Sequence, residues 1–166
     1  GSQGIGAAVV EQARAAGHQV TFTGRDRARI EAVTTRTGAH GLIADVARGD
    51  DNARTVDVAL ARLGGIDVLV NNAGYAYRAE IGAIDVDKMR AMFETNVFGL
   101  VDLTNRVVPH LKAQAFGDIV NLASTSGMKG APTATAYAGS KWAVRGISQC
   151  WQSELRPHNI RVTCIC

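Results

Sequence analysis

Between Ser124 and Lys141 the chain brings a hydroxyl, a phenol and an ammonium within eighteen residues. Three such groups can build an acid/base site. Tyr137 and Lys141 are four apart, so if AYAGSKWAVRGISQCWQSEL (136–155) is a helix they share one face, about 6 Å apart along its axis. A free phenol has a pKa of about 10, too high to trade protons near neutrality. A cation beside it favours the phenolate, and each unit of lowering is about 1.4 kcal/mol. Residues 118–123 (DIVNLA) read as a short buried strand ending at Ser124, and in open α/β sheets ligands bind at the carboxyl ends of strands. Ser124 thus falls at the ligand edge. Taken singly, each pattern also describes an ordinary helix face and an ordinary turn serine.

Strands and helices alternate along the whole chain and must position these groups. The hydrophobic patterns predict strands at 18–23, 40–45, 67–72, 118–123 and 160–165, and helices at 26–37, 51–63, about 87–114 and 136–155. That order implies one domain over 1–166, with a parallel sheet, helices on both faces and right-handed crossovers. In the long helix, Met89, Phe93, Val97, Leu100, Val107 and Leu111 form a stripe that Met92, Val101 and Val108 widen, which predicts burial on two sides. Asn96 lies inside that face, as a packing link or as part of a proton path; Pro109 is expected to kink or end the helix. On the 136–155 helix Trp142 points away from the stripe of Val144, Ile147, Trp151 and Leu155, as a residue at a partner surface would.

The opening GSQGIG has glycines at 1, 4 and 6 before a helical pattern whose apolar positions are Val9, Val10 and Ala13, with Gly17 at its end. A glycine turn at a helix start offers outward N–H groups to an anion such as a phosphate. Three strand ends then carry distinctive residues. Gly24-Arg25 follows the first strand, where a dinucleotide-binding fold holds an acid for the ribose of NAD or a base for the 2′-phosphate of NADP; a solvated helix-start charge is the plain reading, and Asp26 blurs the sign. Asp45-Val46 is either a turn or a carboxylate against an adenine amino group. Asn71-Asn72-Ala73-Gly74 is a tight bend at a third ligand-edge position.

Composition limits the remaining classes. The 166 residues are 46% hydrophobic, with no run near the roughly 20 apolar residues that span a bilayer. Net charge is +3, but the arginines are scattered among acids, so no nucleic-acid partner is expected. Cys150, Cys164 and Cys166 match neither a metal spacing nor a disulfide framework and are expected to be reduced, buried thiols of a cytoplasmic protein without a metal.

Together these motifs resemble the short-chain dehydrogenase/reductase family. GSQGIG is similar to the back half of its glycine loop, Asn71-Asn72-Ala73-Gly74 to its Asn-Asn-Ala-Gly motif and Tyr137 to Lys141 to its Tyr-x-x-x-Lys, while Ser124 and Asn96 fall at its catalytic serine and helix asparagine. The resemblance implies a Rossmann-type doubly wound parallel sheet with helices on both faces, here lacking its first strand and its C-terminal part with the substrate lid. It implies an NADP(H)-dependent oxidoreductase, NAD(H) also being possible, that interconverts a small-molecule carbonyl and alcohol. The implied catalytic residues are Asn96, Ser124, Tyr137 and Lys141, with Ser124 and Tyr137 also on substrate. The cofactor would meet Ser2, Gln3, Gly4, Ile5, Gly6, Arg25, Asp45, Val46, Asn72, Ala73, Gly74, Tyr137 and Lys141. Homodimers or homotetramers are expected, and residues 1–166 alone are expected to be unstable and inactive. A 3-oxoacyl-carrier-protein reductase of the same family shares every motif; a nucleotide-sensing domain would not need Ser124, Tyr137 and Lys141 together.

Overall fold

The computed structural model describes residues 1–166, which group into two compact units, Gly1–Ile66 and Asp67–Cys166, where the sequence reads as one continuous domain. The first unit runs α1 (Gly4–Ala15), β1 (Thr21–Gly24), α2 (Arg27–Thr37), β2 (His40–Ile43) and α3 (Gly49–Leu63). Helix α1 ends where Gly17 takes a φ of 87°, a left-handed turn that glycine adopts without strain. Asp26 caps α2 by accepting the Arg29 N–H, and Gly38 closes it in the left-handed conformation. β1 and β2 pair in parallel, Thr21 opposite His40 and Gly24 opposite Ile43. Val10, Phe22, Ile30, Val33 and Ala39 make the core beneath them. At Gly41 a Cβ would come within 2.4 Å of Ile30 and 2.9 Å of Phe22, so only glycine lets β2 lie this close to α2.

The second unit runs β3 (Val68–Asn71), α4 (Val86–Phe93), a π-helical turn (Glu94–Phe98), α5 (Gly99–Gln114), β4 (Gly117–Leu122), a short 3₁₀ turn (Thr125–Gly127), α6 (Thr135–Leu155) and β5 (Ile160–Ile165). Its sheet has the order β3-β4-β5, parallel throughout, with Asn71, Asn121 and Cys164 in register across it. The expected α/β class with parallel pairing is what the structure has, and each expected helix and strand is present to within a few residues. The expected single helix over 87–114 is the main departure. A π turn interrupts it at Glu94–Phe98, and Phe98 is 56% exposed while Met92, Val97, Leu100, Val107 and Leu111 are buried. Nor does Pro109 end the helix, which continues to Gln114. The missing N–H deprives Asn105, an exposed residue whose carbonyl water can reach.

The cysteines are free, but not buried: Cys150 and Cys166 are exposed and Cys164 is half-buried. Cys150 sits about 120° round α6 from the fully buried Val144, outside the core stripe. No helix is long and apolar enough to cross a membrane.

A polar row lies under the second unit's sheet. Asn71 Nδ2 donates to Thr104 Oγ1 at 3.0 Å and to Asn121 Oδ1 at 2.8 Å; Asn121 Nδ2 donates to Ser148 Oγ at 2.9 Å. All four side chains are buried and partnered, so the row ties α5 and α6 to β3 and β4 without an orphan polar group.

Candidate active site

Helix α6 carries Tyr137 and Lys141 one turn apart, and the Lys141 Nζ lies 5.8 Å from the centre of the Tyr137 ring. Lys141 is 5% exposed and donates to the Leu122 carbonyl at 2.7 Å, at the carboxyl end of β4. Burial pushes its ammonium below the ordinary lysine value, with the charge of the nearby Cys164 pulling the other way. Ser124 follows β4 and caps the 3₁₀ turn: its Oγ accepts the Ser126 N–H at 3.1 Å, which leaves the hydroxyl hydrogen to be donated elsewhere.

That turn rests on α6 through Gly127, where an added Cβ would stand 2.9 Å from the Lys141 carbonyl oxygen. Sequence reasoning missed Gly127; a glycine three residues past a ligand-edge serine was the available signal. Gly127→Ala should push the turn off α6 and lower stability by about 1–3 kcal/mol, read as a lower denaturant midpoint at unchanged slope. An unaltered midpoint would show that the turn has room to move.

Asn96 sits in the π turn at 1% exposure. Its Oδ1 accepts the Tyr75 N–H at 3.0 Å, and its Nδ2 donates to the Tyr75 carbonyl at 2.9 Å and to Ser140 Oγ at 3.1 Å. Both amide groups are therefore engaged in holding the loop after β3 and α6 together. Asn72, Ala73 and Gly74 lead from β3 into this loop; a Cβ on Gly74 would be 3.0 Å from Asn96 Oδ1 and 3.6 Å from Lys141 Nζ. The motif thus splits. Asn71 turns into the buried row, while Ala73 and Gly74 are exposed and Gly74 reaches the Lys141 neighbourhood.

The remaining nucleotide candidates lie in the first unit. Helix α1 begins at Gly4 with no side-chain cap and no acid in its first turn, whereas Asp26 caps α2 and Asp85 caps α4. Gln3, Gly4 and Ile5 are exposed around these bare N–H groups, and Gly4 has a φ of 52°. Such a donor set fits a phosphate. Ser2 packs on Gly24, where a Cβ would stand 2.5 Å from the Ser2 hydroxyl, and the Gln3 amide oxygen accepts from Arg29. The Arg25 side chain is 68% exposed, with Nη1 3.6 Å from Asp45 Oδ2. Asp26, which blurred the charge in sequence, is engaged with α2 and Arg29 instead. The half-buried Val46 accepts the Asn52 amide on its carbonyl at 2.9 Å.

Comparison with known proteins gives the family and the fold. The family profile described as short chain dehydrogenase matches residues 1–166. An uncharacterized oxidoreductase of Staphylococcus saprophyticus is 35% identical over 170 residues, covering 99% of this chain and 73% of that protein. A gluconate 5-dehydrogenase from Burkholderia cenocepacia in complex with NADP and tartrate superposes with a TM-score of 0.89 at 27% identity, covering 98% of this chain and 66% of that one. An NAD+-bound xylitol dehydrogenase superposes at 0.92 and 30%, covering 98% and 65%. The chain thus spans just under two thirds of each of these two solved chains. It belongs to the short-chain dehydrogenase family, whose members are oxidoreductases.

Proposed function

We propose that these residues serve an NADP(H)-dependent oxidoreductase that interconverts a carbonyl and a secondary alcohol, with Tyr137 as general acid and base. The observation that carries the reading is the buried Lys141 one helical turn from Tyr137, beside Gly74 and behind the turn that Ser124 caps. When bound, the nicotinamide supplies or accepts the hydride. In the reductive direction Tyr137 gives its phenolic proton to the carbonyl oxygen. Ser124 donates its free hydroxyl hydrogen to that same oxygen as charge develops, a preorganised donor worth a few kcal/mol. Lys141 favours the phenolate that remains and holds the ribose hydroxyls. Asn96 anchors a water leading from Lys141 to solvent. The bare start of α1, with Ser2, Gln3, Gly4, Ile5 and Gly6, takes the pyrophosphate. Arg25 meets the 2′-phosphate, and Asp45, Val46, Asn72, Ala73 and Gly74 line the rest of the dinucleotide.

The neighbour solved with NADP supports the cofactor class, and the one solved with NAD+ keeps the second nucleotide open. The exposed Trp142 on α6, stacked 5.6 Å from the Arg145 guanidinium, supports a homodimer or homotetramer. The three free cysteines support a cytoplasmic location. The test is carbonyl-dependent oxidation of NADPH by the natural full-length protein over a panel of aldehydes, ketones and sugar-derived carbonyls. Lys141→Ala should lower kcat at least about tenfold and also raise the KM for NADPH, because it loses both the phenolate partner and the ribose contact. No turnover on any carbonyl or alcohol, with either nucleotide, would refute the proposal.

A further inference from the structure

Two charges of opposite sign stand at the carboxyl ends of β1 and β2, and they differ in freedom. The Asp45 carboxylate is fixed. Its Oδ1 accepts the Ala47 N–H at 3.1 Å, closing a short turn, and its own N–H donates to Asp51 Oδ2 at 2.8 Å. Asp51 is itself held by Arg54 at 2.6 Å. The remaining Asp45 oxygen faces Arg25, which is mostly in solvent. At 3.6 Å the two attract without a directional hydrogen bond, so Asp45 does little to orient the guanidinium fork. What it does is place a full negative charge beside the cation.

From this we infer that Asp45 is a specificity-determining residue that tempers the preference for the 2′-phosphorylated cofactor and so lets NAD(H) compete. The inference rests on the reading of Arg25 as the 2′-phosphate partner. A phosphate monoester carries about −1.5 to −2 charge at neutrality, so a fixed carboxylate within one ion-pair length of its binding cation repels it and draws that cation aside. A ribose with a free 2′-hydroxyl feels neither penalty. Any contact of Asp45 with the adenine is common to both nucleotides and cancels in their ratio. An exposed pair of this kind is worth at most about fivefold in an equilibrium constant, which sets the scale of the effect.

The test is a fluorescence titration of NADPH and NADH into the natural full-length protein and into Asp45→Asn, which keeps the acceptor for Ala47 and removes the charge. The ratio of the NADH to the NADPH dissociation constant should rise about two- to fivefold in Asp45→Asn at low salt. The gain should shrink toward unity at about 0.5 M salt, where the screening length is only a few ångströms. Asp45→Ser, which also retains an acceptor for the turn, should show the same gain and serves if Asp45→Asn folds poorly. A ratio that stays level or falls in both variants would overturn the role of Asp45 while leaving the dinucleotide reading intact. Failure of the unsubstituted protein to bind either nucleotide would overturn both.

Discussion

Tyr137→Phe should slow carbonyl reduction by at least about 100-fold and leave NADPH affinity within about twofold of the parent value. The substitution removes only the phenolic oxygen. The ring stays half-buried on α6, so its packing and its approach to Lys141 survive. General acid catalysis contributes about 10²–10⁴-fold, and Phe has no proton to give. Loss of rate without loss of binding separates Tyr137 from Lys141, whose replacement should affect both. Steady-state kinetics together with a direct cofactor titration read the two quantities independently. Near-parental turnover by Tyr137→Phe would make the tyrosine structural and remove the acid from the mechanism.

Arg25→Asp should reverse nucleotide preference in favour of NADH. A charge-assisted contact to the 2′-phosphate contributes about 1.5–3 kcal/mol, or roughly 10- to 100-fold in affinity. The structure argues for the lower end of that range, because Arg25 is mostly exposed and already shares its charge with Asp45. Placing a second carboxylate beside Asp45 adds repulsion to the lost attraction, so kcat/KM for NADPH should drop by at least about tenfold while that for NADH holds or rises. The comparison requires both nucleotides at one ionic strength, since screening alters the contact. Equal or better kcat/KM with NADH in the unsubstituted protein would sink the assignment of Arg25.

Much of this molecule is legible in one dimension. The spacing of four between Tyr137 and Lys141, the alternation of strand and helix patterns, the glycines of the opening loop and the bend after β3 are local features. Local features survive translation into sequence because helix periodicity, strand alternation and turn chemistry act over a few neighbouring residues. Whether those residues share a neighbourhood is a different matter. Nothing adjacent to Asn96 in sequence says that its amide is shared between the Tyr75 backbone and Ser140, 44 positions away. Nor does anything near Gly127 say that the Lys141 carbonyl lies against it.

The sequence by itself determined the parallel α/β class, the family and the chemistry of the key side chains. Tertiary structure alone decided the environment of each. It sank the Lys141 ammonium onto the Leu122 carbonyl, turned Asn71 inward to a buried row and Gly74 outward, and paired Arg25 with Asp45 rather than with its chain neighbour Asp26. It also put a π turn into the long helix at Glu94–Phe98 and carried α5 through Pro109 to Gln114. The physical reason is common to all of these. Propensity and periodicity report a residue's intrinsic preferences, whereas desolvation, charge pairing and the fate of a freed carbonyl depend on groups brought near by packing, at separations of tens of residues along the chain.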